Sequence, residues 1–254
     1  MLIEVTGLVI REVSLGESDK ILTVLTSEMG KITVYANGVR KYKNPNMNAA
    51  QLMSYSEMIV YKRGEKYWLR ESVVIENFYD IRLDLERFAL AQYILDVTGD
   101  VCVEEENEEV MLKLTLNTLY MLVTNKKPIE QVKSVFELRT MANIGFLPNL
   151  INCETCGEYE SEFMFFDIVN AVLFCKDCNN EDDNTYKKSL PIDVIKAMRH
   201  IIYGEPKQIF SFKLDTELLY ILAETCEIYL LNHIERGFKT LSFYKGIRGE
   251  DGYI

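Results

Sequence analysis

Apolar and polar residues alternate through much of the first eighty positions, the period of strands that turn one face to a core. Leu2 to Val13 alternates over most of its length, and Ile21 to Thr26 is apolar and β-branched. Met29-Gly30 supplies a turn before Lys31-Ile32-Thr33-Val34-Tyr35-Ala36. Met53 to Tyr61 alternates again. Arg63-Gly64-Glu65 has the residues of a hairpin loop and leads into Tyr67-Trp68-Leu69 and Val73-Val74-Ile75. Five strands separated by turn signals predict a small β-barrel or a sandwich.

Near Asp80 the period lengthens to that of a helix. Leu83 to Val97 places Leu83, Phe88, Leu90, Ala91, Ile94 and Leu95 at helical spacing, and Glu108 to Val123 repeats the pattern. Glu104-Glu105-Glu106 between them reads as a solvated loop whose acids favour the next helix N-terminus. Pro128 opens a third helix that stops near Gly145. Pro191 opens a fourth, to about Tyr203, broken by Gly204-Glu205-Pro206. Asp215 can cap a long last helix from about Thr216 to Arg236, ended by Gly237. Asn179 to Asn184 reads as a polar loop, and the stretch after Tyr244 as a frayed end. These patterns predict an α+β chain of two domains: a β-rich module over residues 1–80 and a helical domain over residues 81–254, with a cysteine-bearing insertion at about 150–180.

The 48% hydrophobic and 26% charged residues suit a folded protein. No run of eighteen apolar residues occurs, so no membrane span is expected. Met1 to Val13 lacks the basic start and apolar block of a signal peptide, so the expected location is the cytoplasm, where thiols stay reduced. Six cysteines there point to metal or to buried thiols before disulfides.

Cys153-Glu154-Thr155-Cys156-Gly157 and Cys175-Lys176-Asp177-Cys178 form two C-x-x-C pairs with eighteen residues between them. That spacing matches a four-cysteine zinc site. Two residues between cysteines let one tight turn aim both sulfurs at a single ion, and Gly157 helps the backbone curl behind the first pair. Phe163 to Phe166 and Ala171 to Phe174 are apolar enough to be the strands of a returning hairpin, with Val169-Asn170 as its turn and asparagine tolerating a left-handed backbone. Four sulfurs close the tetrahedral shell of zinc, so the site is read as structural. The other readings are four unrelated thiols or two redox pairs, and the βαβ pattern that accompanies a redox pair is missing. Cys102 and Cys226 lie in helical stretches as small buried side chains.

Signals of catalysis are missing. The two histidines, His200 and His233, sit in helical patterns outside any H-E-x-x-H or H-x-E element. Neither a phosphate-binding P-loop nor a G-x-S-x-G elbow occurs. The chain is therefore expected not to be an enzyme, the rival being a carboxylate-based, metal-dependent nuclease.

The net charge of −11 argues against a protein that coats nucleic acid with its whole surface. Residues 1–80 hold ten basic and ten acidic side chains, and the rest of the chain carries the whole negative excess. The first third also has a concentrated basic segment, Gly38-Val39-Arg40-Lys41-Tyr42-Lys43, and a second set, Lys62, Arg63 and Lys66, around the hairpin loop with Tyr61, Tyr67 and Trp68 beside it. Cations that follow phosphates, with aromatics on which bases stack, are what single-strand binding on a small barrel requires. The other reading is a solvated loop with strand aromatics that face the core.

The order of these motifs resembles a known family. Val5-Thr6-Gly7-Leu8-Val9-Ile10, then Glu17-Ser18-Asp19-Lys20-Ile21-Leu22, then Gly38-Val39-Arg40-Lys41 form its first part. Phe136-Glu137-Leu138-Arg139, Gly145-Phe146-Leu147-Pro148 and the two cysteine pairs follow. This sequence of motifs is similar to the RecO family of bacterial recombination mediators over roughly residues 1–243. The resemblance implies an N-terminal OB-fold and a helical domain with an inserted zinc finger. It also implies binding of single- and double-stranded DNA, annealing of complementary strands, and engagement of the acidic tail of single-strand-binding protein. A further implication is joint action with RecR to load RecA. Lys133, Arg139 and Arg199 are the candidate cations for such a tail. The alternative is a zinc-stabilised interaction scaffold without direct DNA binding.

Overall fold

The computed structural model of the chain describes residues 1–180 and 185–249. It comprises two compact units, Met1–Thr124 with the chain from Phe238 onward, and Asn125–Gly237. The division does not follow the change from strand to helix near residue 80, because three helices group with the strands of the first unit.

In the first unit β1 (Leu2–Leu15), β2 (Asp19–Thr26), β3 (Lys31–Ala36), β4 (Tyr55–Arg63) and β5 (Lys66–Glu76) close into a barrel of order β1-β2-β3-β5-β4. The barrel closes because β1 is long enough to serve two neighbours. Leu2 to Leu8 pairs with β4, and Gly7 to Leu15 pairs with β2. A register shift between Val9 and Arg11 bends the strand between these duties. Gly7 lies at this crossing, where a Cβ would stand 2.5 Å from Val24 and 2.8 Å from the Leu25 carbonyl. The alternating apolar residues meet inside, with Val5, Val9, Leu22, Val24, Ile32, Val34, Met58 and Val60 in one core. This is the OB-type barrel that the resemblance implies. The two short runs at 67–69 and 73–75 belong to one strand, β5.

Helices α1 (Leu85–Val101), α2 (Glu109–Thr124) and α6 (Lys239–Arg248) complete this unit. Asp84 caps α1 by accepting the Arg87 N–H at 3.0 Å. The acids of Glu104-Glu105-Glu106 are exposed, but the loop is knitted to the β2–β3 turn rather than free in solvent. The Lys31 N–H donates to Val103 at 2.9 Å, and the Glu105 N–H donates to Met29 at 3.1 Å. Gly30, at φ 59°, permits that approach, since a Cβ there would stand 2.2 Å from the Val103 carbonyl. The expected fraying after Tyr244 is corrected by α6, which continues to Arg248. Phe238, Leu241 and Tyr244 recur at helical spacing and are buried, and Arg248 donates to the Tyr244 hydroxyl at 2.7 Å. Of the stretch after Tyr244, residues 250–254 lie outside the described chain.

The second unit holds α3 (Ile129–Asn143), a sheet of order β6-β8-β7-β9, and helices α4 (Ile192–Tyr203) and α5 (Thr216–Ile234). Its strands are β6 (Asn149–Cys153), β7 (Phe163–Asp167), β8 (Val172–Cys175) and β9 (Lys187–Pro191). β7 and β8 are the expected hairpin. β6 and β9 add an edge on either side. Asp215 caps α5 as expected, accepting the Leu218 N–H at 2.9 Å. The helix ends at Ile234, two residues early, because Glu235 turns left-handed at φ 53°. The loop expected at Asn179 to Asn184 begins with described residues, but 181–184 lie outside them. Among the described residues no helix is long and apolar enough to cross a membrane.

Candidate metal centre and nucleic-acid interface

Both cysteine pairs sit where a strand runs into a tight turn. Cys153 ends β6, and the Gly157 N–H donates back to its carbonyl at 3.0 Å, with Gly157 at φ 78°. Cys175 ends β8, and the N–H groups of Cys178 and Asn179 donate to its carbonyl at 3.2 and 3.0 Å. Pairing of β6 with β8 brings the two turns together. All four sulfurs then lie within 4.8 Å of one another, and the Cys156 and Cys175 sulfurs are 3.6 Å apart. A tetrahedral thiolate shell with metal–sulfur bonds of about 2.3 Å has edges of about 3.8 Å. The four cysteines are free thiols, far outside bonding distance for a disulfide. The donor set therefore fits a metal ion, and its four sulfurs leave no ligand position for substrate.

The surroundings favour a thiolate at Cys153. Burial raises its pKa, but backbone N–H groups of Cys156, Cys175 and Thr155 outweigh burial and bring it down to about 6. Cys178 is pushed up to about 12, chiefly by hydrogen bonding with the sulfurs of Cys156 and Cys175.

The β7–β8 turn needs one correction. The left-handed residue is Ala171, at φ 58°, rather than Asn170. Asp167 makes this tolerable by accepting the N–H groups of Val169 and Asn170 at 3.0 and 2.9 Å and the Asn170 side-chain amide at 2.9 Å.

The three cations considered for an acidic tail are all engaged within their unit. Lys133 is buried between Glu137 and Glu227, 2.8 Å from each. Arg139 donates to the carbonyls of Ile201 and Ile202 at the end of α4. Arg199, on α4, donates to the carbonyls of Leu150, Ile151 and Tyr159 at 2.6, 2.9 and 2.7 Å and stacks on the Tyr159 ring at 4.2 Å. It thereby fastens β6 and the loop after the first cysteine pair to the helix. Beside it Ile151, Tyr159, Lys196, His200 and Tyr203 line a cavity of about 430 Å³.

In the barrel, Arg40, Lys41 and Lys43 are exposed on the segment after β3. The segment is tied to the β1–β2 turn. The Arg40 N–H donates to Ser18 at 2.9 Å, its guanidinium to Gly16 at 3.2 Å, and the Gly38 N–H to the Asp19 carboxylate at 2.7 Å. Arg63 and Lys66 face each other across the β4–β5 hairpin. Strands β3 and β5 run parallel, with Val34 beside Tyr67 and Tyr35 beside Trp68. The basic segment follows β3 and the hairpin precedes β5, so the two cationic sets lie at opposite ends of one ribbon. Lys62 differs from its neighbours. It pairs in register with the buried Tyr67, stands 5.1 Å from that ring, and has Glu65 and Glu105 nearby. A hydrogen bond and attraction from Tyr67 raise its pKa.

The aromatics divide differently from the simple expectation. Tyr67 belongs to the core, whereas Trp68 is half-buried on the outer side and stacks on Tyr35 at 5.6 Å and 26°. Tyr35 was not singled out by sequence, although its place between the inward Val34 and Ala36 marks it as an outward residue. The Lys66 ammonium lies 5.4 Å from the Tyr35 ring.

Comparison with known proteins covers both units. The family model for "Recombination protein O N terminal" matches residues 1–78, and that for "Recombination protein O C terminal" matches residues 82–242. The DNA repair protein RecO of Acetivibrio thermocellus is 33% identical over 244 residues, covering 96% of each chain. That of Caldicellulosiruptor saccharolyticus is 29% identical over 247 residues, covering 97% of this chain and 99% of its own. That of Alkaliphilus metalliredigens is 27% identical over 248 residues, covering 97% and 100%. An OB-type barrel, helices and a four-cysteine cluster in this order, matched from end to end by RecO proteins, make this chain a member of the RecO family of DNA repair proteins.

Proposed function

We propose that the chain is a cytoplasmic, non-catalytic recombination mediator that binds single- and double-stranded DNA on its barrel, the module of residues 1–80. The observation that carries this reading is the pair of cationic sets at the two ends of the β3–β5 ribbon. Arg40, Lys41 and Lys43 hold phosphates at one end, and Arg63 and Lys66, with Lys62 behind them, hold phosphates at the other. Neutralising two strands lowers their repulsion, so complementary bases can meet and anneal without any bond being made or broken. With about five cations on a single strand, log affinity falls with log salt at a slope near −3.5. The cysteine site holds one structural zinc, whose thiolates fix the ribbon sheet of the helical domain (residues 81–254, insertion at about 150–180).

Family membership supports the partners proposed. Single-strand-binding protein offers an acidic tail, RecR acts jointly, and RecA is loaded as a result. The cavity beside Arg199 has the chemistry for that tail. Ile151, Tyr159 and Tyr203 offer apolar surface, and Lys196 and Arg199 also line it, each facing Glu160 at 3.3 and 3.5 Å.

A strand-annealing assay tests the reading, run with and without single-strand-binding protein and with a tail-deleted form of it. Annealing is expected, and tail deletion should abolish it on coated strands only. The triple variant Arg40→Glu, Lys41→Glu, Lys43→Glu should bind DNA at least tenfold more weakly. Undiminished DNA binding by that variant would leave only the scaffold reading. Cleavage of labelled DNA with magnesium or manganese would point instead to a nuclease.

A further inference from the structure

Outward residues of the barrel are expected to be polar where water covers them. Across β3, β5 and β4 three successive outward positions are aromatic instead. Tyr35 pairs in register with Trp68, and Trp68 with Tyr61. Their chain neighbours Val34, Ala36, Tyr67 and Val60 point inward and are buried. Strand spacing of about 4.8 Å sets the three side chains in a row across the sheet. Tyr35 and Trp68 are already stacked, and Tyr61 is 46% exposed. Burial within the barrel does not account for such a row, since the core lies on the other face.

Cations adjoin the row, together with one acid, Glu65, in the β4–β5 hairpin. Lys66 stands over Tyr35, Arg63 faces Lys66, and the segment bearing Arg40 and Lys41 follows Tyr35 along the chain. Aromatic rings flanked by cations suit a ligand that presents flat bases on a phosphate chain. We propose that Tyr35, Trp68 and Tyr61 form a base-stacking platform that makes single-stranded DNA the preferred ligand of the barrel. The proposal rests on the DNA-binding reading and adds the source of strand preference. Duplex bases are already stacked on one another and reach the barrel only through their phosphates. Unpaired bases lay their faces on the row while Arg63 and Lys66 hold the adjoining phosphates.

Trp68 is the only tryptophan, so its emission reports on this row alone. The test uses the full-length, metal-loaded chain with end-labelled oligothymidylate and a duplex of the same length. Label anisotropy measures binding, and Trp68 emission measures stacking in the same sample. Oligothymidylate should quench Trp68 and the duplex should leave it unchanged. Tyr61→Ala and Tyr61→Leu should each weaken single-strand binding by about tenfold and spare duplex binding. Leucine keeps the apolar bulk and removes the ring plane, so full affinity in Tyr61→Leu would refute stacking. Binding seen by anisotropy with unaltered Trp68 emission would refute the platform and leave the DNA reading intact. Equal losses on single strand and duplex would also refute it. No anisotropy change with either DNA would overturn both readings.

Discussion

The five-stranded barrel and the four-stranded ribbon sheet reach order by different routes. In the barrel β4 returns to β1, so no strand is left as an edge, and the inward residues Leu22, Val24, Val34 and Val60 are fully buried. The ribbon sheet has strands of four or five residues, with β6 and β9 as open edges. It leans on neighbours instead. Arg199 fastens it to α4, and two cysteine turns are held chiefly to their own carbonyls. The barrel is thus closed by its own strands, whereas the ribbon's turns bring together four sulfurs that could hold a metal ion. The difference suggests where damage will spread and where it will stop.

Removing the metal should have the largest effect. A structural four-cysteine site contributes on the order of 10 kcal/mol of metal-binding free energy at neutral pH. Cys175→Ser or a strong chelator should abolish stoichiometric metal and open β6 to β9 to hydrogen exchange, while barrel amides keep their protection. Equal loss in the barrel would contradict the separation. Next comes Lys133→Ala, which strands Glu137 in the core beside Glu227. It should cost about 3–5 kcal/mol in denaturant unfolding, as the breaking of a buried ion pair does.

The pH dependence of that triad has a definite sign. Burial lowers the Lys133 pKa, but Glu137 and Glu227 outweigh it and raise the net value. The folded chain therefore holds this proton more tightly than the unfolded chain. Its stabilisation is complete below the unfolded pKa of about 10.4 and is lost only as pH climbs above it. The stability that Lys133 contributes should therefore be the same at pH 7 and at pH 9, which unfolding of the Lys133→Met variant beside the parent chain at both values checks.

Smaller effects sharpen the picture of how the ribbon is fastened. Arg199→Ala removes a charged donor from three carbonyls and should cost about 1.5–3 kcal/mol, read in the same unfolding curve. Ala171→Gly should do the reverse. Relief of the left-handed alanine should stabilise the ribbon by about 1 kcal/mol. A destabilised Ala171→Gly would mean that the turn is set by something other than backbone strain.

Legibility in the sequence followed the same divide. The barrel strands were readable because each alternates against one core, and the capped helices because Asp215, Pro128 and Pro191 mark their starts. The cysteine pairs were readable because metal geometry fixes their spacing. β6 and β9 were not, since Asn149-Leu150-Ile151-Asn152-Cys153 and Lys187-Lys188-Ser189-Leu190-Pro191 are too short for a period to emerge. α6 was hidden by its place near the end of the chain, although Phe238, Leu241 and Tyr244 carry its spacing. The outer aromatic row needed pairing between strands distant in sequence, which no single segment records. The roles of Lys133, Arg139 and Arg199 were likewise invisible, because a buried cation and an exposed one are the same letter.

The central claim is that nucleic acid is held on the barrel and metal in the ribbon sheet. Hydrogen exchange of the full-length chain, with and without single-stranded DNA and with and without chelator, tests it directly. The account predicts that DNA slows exchange in residues 33–43 and 61–70 alone, and that chelation speeds exchange in residues 149–178 and 187–191 alone. Protection by DNA confined to the ribbon sheet, or no protection anywhere, would contradict it.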